Sequence, residues 1–129
     1  MSKHTESSAN RRKHERRPVN EGTVAVFTSP VRLDYSIIGQ ILNIGLGGLA
    51  VRYLPAEEIA RGLTELAIYS SNRSTPLVSG LFYEVIYDAE EPNSPEFDRP
   101  IFHRCGIKFK AFNKVQKSRI EYLVKNYTE

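Results

Sequence analysis

The sequence predicts a mainly β domain, an antiparallel barrel or sandwich, finished by one C-terminal helix. Three observations carry that prediction. Short runs rich in β-branched and aromatic residues recur between turn signals from residue 23 to residue 112. A helical period appears only at the end, where Ile120, Leu123, Val124 and Tyr127 fall at i, i+3, i+4 and i+7. With 129 residues, 40% of them hydrophobic, the chain suits a single globular domain.

The elements follow in order. Residues 1–10 are polar and aperiodic, which predicts a disordered tail. A basic arm occupies residues 11–20, and Pro18 pushes Arg17 towards an extended conformation, so no helix runs through it. TVAVFT at 23–28 is a strand by composition and is broken by Ser29-Pro30. YSIIGQILNI at 35–44 is a second strand, with Gly39 as its expected bulge. The glycine-rich turn NIGLGG leads into GLAVRYL, so these strands form a hairpin. PAEEIAR at 55–61 has Pro at its start and Gly62 after its end, the pattern of one short helical turn.

LTELAIYS at 63–70 and LVSGLFYEVIYD at 77–88 read as strands separated by the turn NRSTP. An acidic, proline-rich loop is expected over 89–99. In IFHRCGIKFKAF at 101–112, Ile107, Phe109 and Ala111 alternate with Lys108 and Lys110, which predicts a half-buried strand. Asn113 is a good N-cap and Gln116 completes a capping box, so the helix is expected at about 113–127. The domain is thus expected to run from 11 to 129.

Composition narrows the function classes. One Cys excludes an internal disulfide framework. No stretch reaches the roughly 20 apolar residues of a membrane span. A cytoplasmic protein without membrane insertion is the expectation. The net charge is +3, but residues 1–20 hold six basic and two acidic groups, while residues 21–129 hold 12 and 13. The excess positive charge therefore sits in one short arm and asks for an anionic partner. Catalysis has little support. There is no G-x-S-x-G, P-loop or H-E-x-x-H motif. His4, His14 and His103 are scattered, and with one Cys they make no familiar metal spacing. Cys105 beside Gly106 reads as a small buried hydrophobe, and His103 as a strand residue without a special task.

Two constellations remain. Arg12 and Arg16 form R-x-x-x-R, flanked by Arg11, Lys13 and Arg17. Guanidinium is planar, permanently charged and donates paired hydrogen bonds to phosphate or to the O6/N7 edge of guanine. Taken alone, the cluster reads better as the solvated basic tail common at chain ends. The second constellation is Asn43-x-Gly45-x-x-Gly48 between two strands. Glycine permits positive φ and close approach of a ligand, and Asn43 offers both a donor and an acceptor to a base edge. Taken alone, it is an ordinary glycine-rich hairpin turn.

Together, an R-x-x-x-R arm before the first strand and an N-x-G-x-x-G turn some 25 residues later resemble the PilZ domain family. "ERRPVN" leading into TVAVF is similar to that family's entry to its barrel. "RCGIKFKAFNKVQKSRIEYL" is similar to its closing strand and helix. The resemblance spans about Arg11 to Tyr127. It implies a six-stranded antiparallel β-barrel with a flexible N-terminal arm and a C-terminal helix. It also implies a bacterial, non-catalytic receptor for the second messenger cyclic di-GMP, with no cofactor.

Residue by residue, Arg12 and Arg16 would be the motif arginines. Asn43 would take the Asp/Asn place and Gly48 the final glycine. Arg11, Lys13 and Arg17 would be auxiliary contacts. Gly45 stands where the pattern usually has Ser, which removes one hydrogen bond worth about 0.5–1.5 kcal/mol. That corresponds to an affinity loss of roughly 2- to 13-fold. The expected mechanism is a free arm that orders on the ligand and presents a new surface to a downstream protein partner. The competing reading is a PilZ-like adaptor that binds protein without nucleotide. A nucleic-acid-binding barrel is disfavoured, because residues 21–129 are slightly acidic and carry no interleaved basic and aromatic stripe.

Overall fold

The computed structural model describes residues 15–29, 36–54, 64–92 and 101–129. Seven strands and one helix are present among them: β1 (Arg17–Pro18), β2 (Thr23–Thr28), β3 (Ser36–Ile44), β4 (Gly48–Tyr53), β5 (Glu65–Ser70), β6 (Val78–Glu90), β7 (His103–Phe109) and α1 (Lys114–Asn126). The expected disordered tail, the helical turn at 55–61 and most of the acidic loop lie outside the described residues.

Every pairing is antiparallel. The strands run β3-β2-β5-β6-β7-β4, and β4 pairs back onto β3 to close a six-stranded barrel. Closure removes the edge that an open sheet would expose over most of its length. β1 lies outside the six. It pairs Arg17 with Ile44 and Pro18 with Asn43, at the end of β3 that β2 does not reach. No local pattern announces this two-residue strand, although the extended conformation that Pro18 imposes on Arg17 is what it needs.

Period-2 alternation puts one face of each strand in the core. In β2 and β5 it is regular, with Ala25, Phe27, Leu66 and Ile68 inside. Bulges reset the alternation elsewhere. The β3–β4 register shifts between Ile41 and Asn43, so Ile41 and Ile44 both face the core and Asn43 does not. The expected bulge at Gly39 is absent. Gly39 pairs regularly with Ala25, and a Cβ there would stand 3.1 Å from Val51 Cβ, so this glycine gives room across the barrel. Two further shifts lie on β6, one near Gly80 at φ +69° and one between Val85 and Tyr87. β6 also continues to Glu90, two residues into the segment expected as loop. Ala111 is exposed and beyond the end of β7, because the strand stops at Phe109.

The capping box forms as expected. Asn113 Oδ1 accepts from the Gln116 amide at 2.8 Å, and Gln116 Oε1 accepts from the Asn113 amide at 3.0 Å. Gln116 also reaches the barrel, donating through Nε2 to the carbonyls of Ser79 and Gly80. Ile120 and Leu123 are fully buried against the core, with Val124 and Tyr127 packed beside them. Leu123→Ala should therefore lower unfolding free energy by about 2–5 kcal/mol, read as a shifted urea midpoint with unchanged slope.

The helix end also anchors the entry strand. Asn20 N donates to Tyr127 O at 2.8 Å, Glu129 N donates to Pro18 O at 3.0 Å, and Val19 bridges Thr128. Among the described residues, no helix is long and apolar enough to cross a membrane.

Candidate ligand-binding site

The β3–β4 hairpin turn is a compact shelf. Gly45 N donates to Gly48 O at 2.9 Å, and Phe109 N donates to Gly47 O at 2.9 Å, which pins the turn to the end of β7. Neither Gly45 nor Gly48 adopts positive φ. Of the reasons expected for these glycines, positive φ is therefore absent, and the reason that holds is spatial. A Cβ on Gly45 would stand 2.2 Å from the Glu15 carbonyl oxygen, and one on Gly48 would stand 2.1 Å from the Ile107 carbonyl oxygen. No side chain fits at either place without displacing backbone.

What fills that space is the arm. Glu15 and Arg16 lie directly on the turn, with Arg16 Cγ 3.2 Å from the Gly45 Cβ position and Arg16 Nη2 2.9 Å from that of Gly48. The guanidinium donates through Nη2 to Ile107 O at 3.3 Å. Arg16, Gly45 and Gly48, 29 and 32 positions apart in the chain, thus form one contact surface. Arg17 is exposed and pairs with Ile44 one step along. Residues 17–20 are held by β3 and by the C-terminus and residues 15 and 16 lie on the turn, so the expected free arm does not include residues 15–20. The physical reason is that β3 and the C-terminus satisfy the backbone groups of residues 18–20. Arg11, Arg12 and Lys13 lie outside the described residues.

Asn43 sits under this surface, opposite Pro18 on β1 and Ala50 on β4. Its Oδ1 is buried and has no hydrogen-bond partner among the described residues. A buried acceptor without a donor is costly, and such groups mark places where a ligand or water completes the bonding. The β3 bulge is what brings Asn43 off the core-facing row, and nothing in the local sequence announced it.

A second polar cluster lies at the other end of the barrel, where β4 ends and β7 begins. Tyr53 donates to Asp88 Oδ2 at 2.5 Å, and His103 Nδ1 contacts Asp88 Oδ1 at 2.9 Å. His103 thus has a partner that its position in a strand pattern did not suggest. Glu91 takes both Arg104 and Arg52, and these guanidinium hydrogen bonds hold its carboxyl below the usual range. Among the described residues no group of acidic, His and Cys side chains is arranged to hold a metal ion.

Burial pushes the Cys105 thiol up to about 12, with Asp88 adding to it, and pushes the Tyr83 phenol up to about 12 as well. Tyr53 is raised in the same direction by burial and by its bond to Asp88. In each case the folded chain favours the protonated form. The resulting stabilisation is present below the ordinary values of 9.0 for the thiol and 10.0 for the phenols, and is lost as pH climbs towards about 12. Urea midpoints should therefore hold steady up to about pH 9 and fall above it. Cys105 should resist alkylation at pH 8 until the chain is unfolded.

No protein-family model and no curated protein matches the chain. Solved structures do. The PilZ domain of YcgR from Escherichia coli, determined with c-di-GMP, superposes with a TM-score of 0.64 at 10% identity, covering 91% of each chain. MrkH, described as a c-di-GMP-dependent transcription regulatory factor, gives a TM-score of 0.64 at 11% identity over 89% of this chain. This chain spans 50% of the length of MrkH. At such identity the likeness speaks for architecture, and the six-stranded closed barrel, the outside strand and the C-terminal helix agree with it. The chain folds as a PilZ-like domain.

Proposed function

We propose that this protein is a non-catalytic receptor for cyclic di-GMP, binding it between the basic arm and the β3–β4 turn. The observation that carries the reading is the placement of Arg16 on Gly48 near Asn43, whose buried Oδ1 has no partner among the described residues. The ligand offers two phosphates and two guanines. Arg16 supplies a permanent cation with forked donors, suited to phosphate and to the guanine O6/N7 edge. Asn43 supplies an acceptor to a guanine N–H. The bare glycines let a base approach the backbone more closely than any side chain would allow.

Arg12 is assigned the second grip by its place in R-x-x-x-R, with Arg11, Lys13 and Arg17 adding favourable field. The two c-di-GMP-associated neighbours support the same ligand. Ligand held at the turn changes the surface there, which is how a downstream protein partner would sense it.

One observation favours the alternative of an adaptor without nucleotide. The Glu15 carbonyl occupies the volume in which a Ser side chain at position 45 would lie. The arm then covers the turn whether or not a ligand is present. Calorimetric titration with cyclic di-GMP decides between them. The receptor gives saturable binding at micromolar or lower concentration that GTP does not reproduce. The adaptor gives no heat. Binding instead to random oligonucleotides with a steep salt slope would indicate a nucleic-acid partner.

A further inference from the structure

The outer wall beside the glycine turn carries an aromatic ring that neither sequence motif includes. Three pairings form one row leading away from the turn: Asn43 with Ala50, Ala50 with Gly106, and Gly106 with Tyr87. Ala50 stands between the core residues Leu49 and Val51, and Gly106 between Cys105 and Ile107, so both face out of the barrel. The register shift between Val85 and Tyr87 sets Val85 against the buried Ile107 and turns Tyr87 to the outside, opposite Gly106.

Gly106 is what lets the ring lie down. A Cβ there would stand 2.3, 2.8 and 2.9 Å from Cε2, Cδ2 and Cζ of Tyr87, the near-equal distances of a ring lying face-on over the backbone. Tyr87 is nonetheless 45% exposed, so its other face is accessible. The neighbours of this ring on the wall belong to the proposed site. Arg16 Nη2 donates to the carbonyl of Ile107, the residue after Gly106. Asn43 stands two strands from Gly106 in the same row, about 10 Å at the usual strand spacing.

We infer that Tyr87 is the stacking platform for one guanine of the ligand, a contact that rests on the receptor reading and extends it beyond the two motifs. A nucleobase stacks on an aromatic face through its whole π surface, and a ring already laid flat loses little freedom in accepting it. Arg16, one residue further along β7, meets the adjoining phosphate. Recognition is thus divided: Asn43 and Arg16 address edges and charge, and Tyr87 addresses the flat face of the base.

The test uses the full chain. It contains no Trp, so Tyr87→Trp places a single indole at the platform. Cyclic di-GMP should quench the emission of this variant saturably, with the midpoint that calorimetry gives. Tyr122→Trp, on the exposed face of α1, should show no quenching. By calorimetry Tyr87→Ala should weaken binding roughly five- to a hundredfold, the usual worth of one base on one aromatic ring. Tyr87→Phe restores the ring and should recover most of that loss. Three results overturn the platform and leave the receptor reading standing, each with heat from the parent: a loss below about fivefold in Tyr87→Ala, unquenched emission in Tyr87→Trp, or equal quenching in Tyr122→Trp. A parent that gives no heat overturns both.

Discussion

Arg16→Ala should reduce cyclic di-GMP affinity roughly ten- to a hundredfold, because a hydrogen bond to a charged group is worth about 1.5–3 kcal/mol. Fold stability should change little. Arg16 is partly covered, and its bond to the Ile107 carbonyl, at 3.3 Å, is at the long end of the normal range. The barrel itself is closed by strands that Arg16 does not join. Arg16→Lys should recover only part of the loss, since an ammonium keeps the charge but not the planar fork. Asn43→Ala should weaken binding less, and it also removes a buried Oδ1 that lacks a partner among the described residues, so stability should hold or rise slightly. Calorimetric titration of the three variants, with urea unfolding beside it, separates binding from folding. Equal affinity in Arg16→Ala and the parent would move the ligand away from the turn.

The strands and the helix were legible because their signals are local. TVAVFT carries its own alternation, and Asn113 with Gln116 carries its own cap. The barrel's bulges were not legible, because a bulge is a property of two strands. Nothing in QILNI says that Ile41 and Ile44 both face inward, and Gly39 was a false cue. β1 was missed for a similar reason, since its partners are the far end of β3 and the last residues of the chain.

At the site, the pattern singled out Arg16, Gly45 and Gly48, and the fold brings them together. Of the two reasons expected for the glycines, positive φ is absent and close approach of other backbone is present. Spacing alone cannot distinguish a glycine that turns the chain from one that another backbone lies against. The Tyr53–Asp88–His103 cluster left no sequence signal, because it joins three different strands at intervals of 15 to 50 residues that match no motif.

That distinction between glycines leads to a large expected effect on stability. Gly48→Ala should cost on the order of 3 kcal/mol or more. The added Cβ would lie 2.1 Å from the Ile107 carbonyl oxygen, a backbone atom that cannot yield while Gly48 pairs with Lys108 and Gly47 with Phe109. Relief requires opening the β4–β7 ladder, which is part of the barrel's closure. Gly80→Ala makes the contrast. Its φ of +69° strains any L side chain, but its Cβ would meet only Gln116 Nε2 at 3.5 Å. The cost there is conformational and about 1 kcal/mol. Gly106→Ala falls between them, because its Cβ would meet the ring of Tyr87 at 2.3 Å and a half-exposed ring can swing away.

The predicted order of urea midpoints is therefore parent, Gly80→Ala, Gly106→Ala, Gly48→Ala. A Gly48→Ala protein that melts with Gly80→Ala would mean that β7 does not lie against the turn. Arg16 would then lose the Ile107 carbonyl that holds it over the proposed guanine site.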